Sequence, residues 1–241
     1  MKRILLLATP LLVGLTASGQ TPFQNLDFEA ATFPGAPPDP TYGRYDISNA
    51  MPGWTAYVGT RPENLILHNN FFLSSAGIGI LDSACVNPLP GTDWCQVLTG
   101  QYTAWLQAGY DFPGFGGGWQ NVSIAQTGLI PDGSRTMTFL SAGAGGLDPA
   151  PYLQVSVAGL VTPLYLLGTS PSFNAYGVDV SAYAGQATDI QFTVSGQLYL
   201  DLIRFTATPV PEPSALGLIG MAGAALASLG VWNRHRRRRS Q

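Results

Sequence analysis

Charged residues are scarce in this 241-residue sequence, where they make up 10% of the chain against about 25% in an average globular protein. Long amphipathic helices need charged outer faces, so this scarcity excludes a helical bundle. Residues 20–209 contain no lysine, and their four arginines and 13 acidic residues give a formal charge of −9. Such a surface repels phosphate backbones, so we expect no nucleic-acid binding by this middle region.

Histidine is also rare, and His68 is the single histidine of the middle region. A Ser-His-Asp triad would have to use it, yet no GxSxG motif accompanies any serine. We place His68 at a strand end and interpret it as a surface or hydrogen-bonded loop residue. The acidic residues are scattered singly, several of them in Asp-Pro or Asp-Gly turns, which argues against the paired carboxylates of a glycosidase. The sequence therefore predicts a protein that is not an enzyme.

Glycine and proline are abundant, with 29 and 19 residues, and 46% of the chain is hydrophobic, which is enough for a core. Short apolar or alternating runs stand between turn residues, and no stretch shows sustained helical periodicity. These runs predict an all-β sandwich over residues 20–208. The predicted strands are Gln24–Glu29, Trp54–Val58, Asn64–Leu67, Ile78–Leu81, Tyr102–Leu106, Gln120–Gln126, Arg135–Ser141, Tyr152–Val157, Leu164–Leu167, Phe173–Val180, Asp189–Val194 and Leu198–Thr206.

The N-terminal segment has the three parts of a secretory signal peptide. Two basic residues, Lys2 and Arg3, precede an apolar run from Ile4 to Leu15, and the small residues Ala17–Gly19 follow. The run is too short for a good membrane span. We therefore expect residues 1–19 to be a signal peptide that is removed during export.

The C-terminal segment reads as a membrane span. Ser214–Trp232 contains no charge, and as a helix its 19 residues would be about 28 Å long, enough to cross a bilayer core. An arginine cluster follows at once and should stay on the cytoplasmic side as a stop-transfer signal. The predicted transmembrane helix therefore leaves residues 20–208 outside the cytoplasm. The cluster consists of Arg234, Arg236, Arg237, Arg238 and Arg239.

The tripeptide Pro211, Glu212 and Pro213 stands just before this span, and its two prolines should keep it extended and exposed. The tripeptide, the span and the arginine cluster in this order resemble the PEP-CTERM sorting signal of Gram-negative bacteria, here over residues 209–241. The resemblance implies recognition at Pro211, Glu212 and Pro213 by exosortase, a transpeptidase of the inner membrane. It implies delivery to the cell envelope or to the extracellular polymeric matrix. The alternative is a plain single-pass anchor with a chance Pro-Glu-Pro linker.

The middle region also contains three short sequence segments that are typical of one family. Asn25–Glu29, Val178–Gln186 and Tyr199–Phe205 resemble an opening strand, a turn before a late strand and the closing strand of galactose-binding-like jelly rolls, which include many carbohydrate-binding modules. The resemblance implies a jelly-roll β-sandwich that binds extracellular polysaccharide. A membrane-anchored structural or adhesion module is the alternative, and an extracellular polysaccharide hydrolase is the lesser one.

A structural calcium ion is implied by the same resemblance, because in such modules an ion often ties the opening strand to the closing one. The matching positions are Glu29 and Asp201, with Asp27 as a further ligand. Hard oxygen ligands also fit an acid-rich, histidine-poor exported domain.

Cys85 and Cys95 are the two cysteines, and a metal site at this pair lacks further soft ligands. Export places them in an oxidising compartment, so we predict a disulfide.

Most aromatic side chains of a sandwich lie in its core, but two tryptophans are candidates for stacking on sugars. Trp119 follows a run of three glycines, and Trp94 lies inside the predicted disulfide loop.

Overall fold

A computed structural model describes residues 21–72, 74–87, 94–111, 117–144 and 148–211. The predicted signal peptide and the predicted transmembrane helix with its arginine cluster lie outside these residues. Within them, no helix has the length and apolar character needed to span a bilayer. The described helices are α1 (Ile47–Ala50) and two 3-10 turns, Ala150–Tyr152 and Ser181–Tyr183.

Strands make up most of the regular structure. They are β1 (Arg44–Asp46), β2 (Thr55–Val58), β3 (Arg61–Glu63), β4 (Leu65–His68), β5 (Gly77–Leu81), β6 (Thr103–Gln107), β7 (Gly109–Tyr110), β8 (Trp119–Gln120), β9 (Val122–Leu129), β10 (Thr136–Gly143), β11 (Leu153–Val157), β12 (Leu160–Thr162), β13 (Tyr165–Thr169), β14 (Asn174–Asp179), β15 (Ala187–Val194) and β16 (Gln197–Thr206).

Two large sheets contain all but the β7–β8 hairpin. The eight-stranded sheet has the order β1-β4-β5-β6-β16-β10-β14-β13, and the six-stranded sheet has the order β12-β11-β15-β9-β2-β3. Neighbouring strands pair in antiparallel fashion, apart from β4 and β5, which are parallel. The edge strands β1 and β3 come from the first part of the chain, and the edge strands β12 and β13 follow each other in sequence.

The two sheets share one hydrophobic core, which confirms the predicted β-sandwich. In β15 buried and partly exposed residues alternate, so that Ile190 and Phe192 point into the core. Phe192 meets Phe139 of the other sheet edge to face, with ring centroids 5.2 Å apart. This alternation is what a strand buried on one face requires.

A second apolar cluster covers the outer face of the eight-stranded sheet. Its fully buried members Trp105 and Tyr199 pack with residues from the segment that contains the cysteines. The Tyr199 hydroxyl donates a hydrogen bond to the Trp94 carbonyl at 2.7 Å. Cys85 and Cys95 form a disulfide, as predicted.

The predicted opening strand Gln24–Glu29 is wrong, because this segment forms turns. Asn25 and Phe28 have φ values of 48° and 61°, which lie outside the extended range of a regular strand. Phe28 is fully buried and stacks on Trp54 at 5.6 Å. The Gln126 side chain bonds both the N–H and the carbonyl of Gln24, at 2.5 and 2.9 Å, and so takes the place of a partner strand.

Candidate functional site

A cleft opens between the two sheets on the side where β1 and β3 form the edges. Its volume is about 210 Å³. The apolar part of its lining comes from both sheets, with Val58 on β2, Leu65 on β4 and Ile78 on β5. The polar part contains Arg61 and Glu63 of β3 together with Asp111, which follows β7. The cleft is therefore apolar at the sheets and ionic along one rim.

Arg61 bridges the two carboxylates of that rim. Its Nη1 forms an ion pair with Glu63, and its Nη2 lies 3.2 and 3.3 Å from the two carboxylate oxygens of Asp111. Glu63 and Asp111 are largely buried, whereas about a third of the Arg61 side chain is exposed. The guanidinium plane is thus held in one orientation while part of it faces the cleft.

Two glycines place these side chains. Gly59 has a φ of 59° in the two-residue turn between β2 and β3, a conformation that L-residues avoid, and the tight turn sets the register that brings Val58 opposite Arg61. A Cβ on Gly109 would lie 2.5 Å from the backbone of Ser75. The chain before Asp111 can therefore approach the 74–76 segment closely only because residue 109 is glycine.

Aromatic rings form the opposite rim. Tyr42 and Phe72 meet edge to face, with centroids 5.4 Å apart. Arg44 lies over the Tyr42 ring at 5.6 Å, and the Arg44 guanidinium donates two hydrogen bonds to Asp39. Tyr42 is 43% exposed, so much of the ring is available to a ligand.

The charges of the lining balance, with Arg44 and Arg61 against Glu63 and Asp111. Burial raises the pKa of Glu63 above its usual range, although the nearby Arg61 and Arg44 act in the opposite direction. The cleft therefore offers donors and acceptors in close alternation without a net charge.

The two tryptophans that were predicted to contact a ligand differ in exposure. Trp119 is 56% exposed and meets Tyr110 edge to face across the β7–β8 hairpin, with centroids 5.6 Å apart. Tyr110 is also exposed and immediately precedes Asp111 of the cleft. Trp94 is half-buried and packs against Phe71 in the outer cluster.

The residues predicted to bind calcium lie near one another but are already hydrogen-bonded. Glu29 Oε1 accepts from the N–H groups of Gln101 and Tyr102, and the Asp201 carboxylate accepts from Thr99 and Thr103. Both carboxylates thus hold the 99–103 segment through N–H and O–H donors.

Asp27 accepts a hydrogen bond from the N–H of Glu29, two residues further along the chain. Over the described ranges, no three His, Cys, Asp or Glu side chains cluster as a metal site requires. Calcium binding at Glu29, Asp201 and Asp27 stays a prediction. If calcium binds there, a chelator should lower the melting temperature of the protein.

His68 has the structural partners that a hydrogen-bonded histidine requires. Its Nε2 lies 2.9 Å from Asp82 Oδ2, and its ring stacks on Phe33 with centroids 3.6 Å apart. The Asp82 carboxylate also accepts a hydrogen bond from Asn69 at 2.6 Å. His68 therefore ties the end of β4 to the chain that follows β5.

Sequence reasoning did not find the cleft. Arg61 and Glu63 are two residues apart, which is the signal for side chains on one face of a strand. Pro62 between them favours a loop, and Asp111 stands 50 residues away. Only the β7–β8 hairpin brings that third residue to the rim.

No protein-family model and no curated protein matches the sequence. One similar solved structure is the enzymatically active domain of tailspike protein 4 from bacteriophage CBA120, with 15% identity and a TM-score of 0.33. The match covers 64% of this chain and 19% of the tailspike chain, so this chain spans about a fifth of that length.

Another similar structure is a family 11 carbohydrate-binding module from Clostridium thermocellum in complex with a β-1,3-1,4-mixed-linked tetrasaccharide. It has 11% identity and a TM-score of 0.35, and the match covers 70% of this chain and 97% of the module. At these scores the backbones do not superpose closely enough to give any residue of this chain a counterpart.

Proposed function

We propose that this chain is a noncatalytic exported protein that binds a neutral saccharide in the inter-sheet cleft. A PEP-CTERM signal sorts it to the cell envelope or the extracellular polymeric matrix. Its partners are an exosortase-type transpeptidase, the inner membrane during transit, and extracellular polysaccharide. The body belongs to the jelly-roll group in this proposal, which is supported by crossovers such as the placement of β16 between β6 and β10.

The observation that carries saccharide binding is the composition of the cleft. Sugars present hydroxyl groups at their edges and C–H groups on their faces, so they bind to paired donors and acceptors beside an aromatic ring. Arg61 with Glu63 and Asp111 supplies the first element, and the exposed Tyr42 ring supplies the second. Trp119 and Tyr110 extend the aromatic surface beside Asp111 for a longer chain.

The charge of the cleft favours a neutral ligand. The Arg61 guanidinium already faces two carboxylates, and Arg44 is paired with Asp39. A uronate or phosphate ligand would have to displace these partners and would approach a body with a formal charge of −9. A neutral hexose would neither have to displace these partners nor be repelled by the negative charge.

Sorting is supported by where the folded body stops. The last strand ends at Thr206, and the following segment is held by a hydrogen bond from the Thr136 hydroxyl to the Thr208 carbonyl at 2.6 Å. Pro211, the last described residue, is exposed. Glu212 and Pro213 follow directly in the sequence, and recognition by a transpeptidase needs a tripeptide that begins at an exposed residue such as Pro211.

A hydrolase is the second candidate, and Glu63 is the observation that favours it. A carboxyl group with a raised pKa near a second carboxylate is the arrangement of a glycosidase acid and its partner. Arg61 occupies both groups, which suits binding better than proton transfer. Cleavage of a polysaccharide that is lost in Glu63→Gln would establish this candidate. Surface retention without any glycan binding would instead establish a purely structural, membrane-anchored module.

Binding to an array of neutral and acidic glycans, followed by titration calorimetry, tests the saccharide proposal. We expect Tyr42→Ala to weaken binding of a neutral glycan on the order of tenfold, since stacking on one ring contributes about 1–2 kcal/mol. Tyr152→Ala is a matched control, because Tyr152 is 42% exposed and lies away from the cleft. Equal loss in both variants, or no glycan bound at all, would contradict the proposal.

A further inference from the structure

The second open side of the sandwich is formed by β12 and β13, and most of the exposed large apolar side chains of the described residues lie there. Leu160 and Val161 are 65% and 63% exposed on β12, and Leu166 is 55% exposed on β13. Leu167 and Tyr152 are exposed beside them. We call these five residues the apolar edge. A monomer rarely leaves such a group of neighbouring apolar side chains in water without a partner for it.

The backbone of β13 is equally open. Among the described residues β13 pairs with β14 alone, so its outer row of N–H and C=O groups faces no strand. Natural proteins protect such edges with lysine, proline or a covering segment. Tyr165–Thr169 contains neither a charged residue nor a proline. A bulge between Leu166 and Gly168 interrupts its regular pairing with β14, so the strand can accept another strand only along the parts outside this bulge.

Charge decides which partner fits. Residues 149–178, which include both edge strands, contain no charged residue, whereas the middle region as a whole has a formal charge of −9. Two copies repel each other over most of their surfaces, and this uncharged stretch is where they can approach at the lowest cost. A basic partner would find its best site elsewhere, on the acidic surface.

We propose that the apolar edge is a self-association surface whose occupant is a second copy of this chain. A twofold axis across β13 pairs the strand with its own counterpart in antiparallel fashion, which joins the two eight-stranded sheets into one. Leu160 and Leu166, which pair with the core residues Val157 and Tyr176 of the neighbouring strands, become buried in this contact. The cleft lies at the opposite edges of both sheets, so it stays open in the dimer.

Sedimentation equilibrium of the purified full-length exported chain, in one detergent buffer for all variants, tests this inference. We expect the wild-type chain to form a concentration-dependent dimer. Leu166→Lys should weaken the dimer by at least about tenfold, because the twofold axis brings each lysine towards its counterpart. Leu160→Lys should weaken it as well. Both side chains are exposed, so the variants should keep the wild-type melting temperature at concentrations where the wild-type chain is monomeric.

Val86→Lys is the matched control, because Val86 is 79% exposed and lies outside the apolar edge. This substitution changes the net charge by the same amount as the two test variants. A dimer that persists in Leu166→Lys and Leu160→Lys, or that Val86→Lys weakens equally, would overturn the inference. A wild-type chain that stays monomeric at all concentrations, including one that binds lipid vesicles or a foreign peptide through this edge, would overturn it too. None of these results depends on glycan binding.

Discussion

Asp201 shows how one residue can join the parts of this sandwich. Its carboxylate has no exposed surface and accepts hydrogen bonds from Thr99, Thr103 and Leu202. Leu202 has a φ of 52° at a bulge in the pairing of β10 with β16. Ile203 is then free to donate its N–H to the Leu26 carbonyl at 2.8 Å. The N-terminal segment thus docks on β16 beside the buried carboxylate.

This residue should give the protein a pH-dependent stability. Burial raises the pKa of Asp201 to about 6, although the hydrogen bonds act in the opposite direction. Since the unfolded state loses its proton near pH 4 and the folded state near pH 6, the free energy of unfolding should fall as the pH rises between these values. The fall should be on the order of 2–3 kcal/mol, measured by denaturant titration at each pH.

Asp201→Asn provides the comparison, because an amide is neutral at every pH. The pH dependence between 4 and 6 should shrink in this variant and persist in Glu63→Gln, in which the second carboxyl group with a raised pKa is removed. Asp82, Asp148 and Asp179 have lowered pKa values, so their effects belong to lower pH and have the opposite sign. An unchanged pH profile in Asp201→Asn would contradict this assignment.

At the scale of elements, the disulfide segment covers a sheet face that would otherwise be exposed. Cys85, Cys95 and Trp94 pack against the cluster around Trp105 and Tyr199. The face below also holds buried polar residues, among them Thr103 and Asp201. By holding this segment against the sheet, the disulfide therefore keeps both apolar and polar groups of that face away from water.

Removing the disulfide should destabilise the protein. The bridged residues are ten apart, and closing such a loop stabilises the folded state by about 2–3 kcal/mol in the chain-entropy model. The double variant Cys85→Ser, Cys95→Ser should lose this amount in chemical unfolding. Reductant should destabilise the wild-type chain by the same amount and leave the double variant unchanged. A wild-type chain that is insensitive to reductant would contradict this role.

The sequence predicted the long strands well, because their side chains alternate. β10 and β15 place apolar residues such as Phe139, Ile190 and Phe192 on one face, and this pattern is readable without any contact information. The disulfide was also predictable, since the prediction needed only two cysteines and the expectation that the chain is exported.

The short strands at the sheet edges could not be predicted from the sequence. β1, β3 and β12 have three residues each, too few for a period, and Arg61–Glu63 contains a proline that only an edge strand tolerates. The Gln24–Glu29 segment looked like a strand because it alternates, but Asn25 and Phe28 turn the chain so that Phe28 enters the core. The cleft depends on these elements and on Asp111, so it emerged only from the three-dimensional structure.

At the scale of the whole molecule, three surfaces lie in different places. The cleft lies between the edges β1 and β3, the apolar edge lies at β12 and β13, and the chain leaves the body after β16, near the middle of the larger sheet. In the proposed account the tail delivers the protein, the cleft binds polysaccharide and the apolar edge joins copies. Each role can fail without the others, because no surface uses the residues of another.

Delivery by a processed tail is the central claim, and the C-terminus of the mature protein tests it most directly. Mass spectrometry of C-terminal peptides, from protein isolated from the surface or matrix fraction of the native host, would locate this end. The account predicts that the mature chain ends close to Pro211–Pro213 and lacks the Arg234–Arg239 cluster. A mature protein that retains these arginines in its C-terminal peptide would contradict the sorting signal and leave a plain membrane anchor.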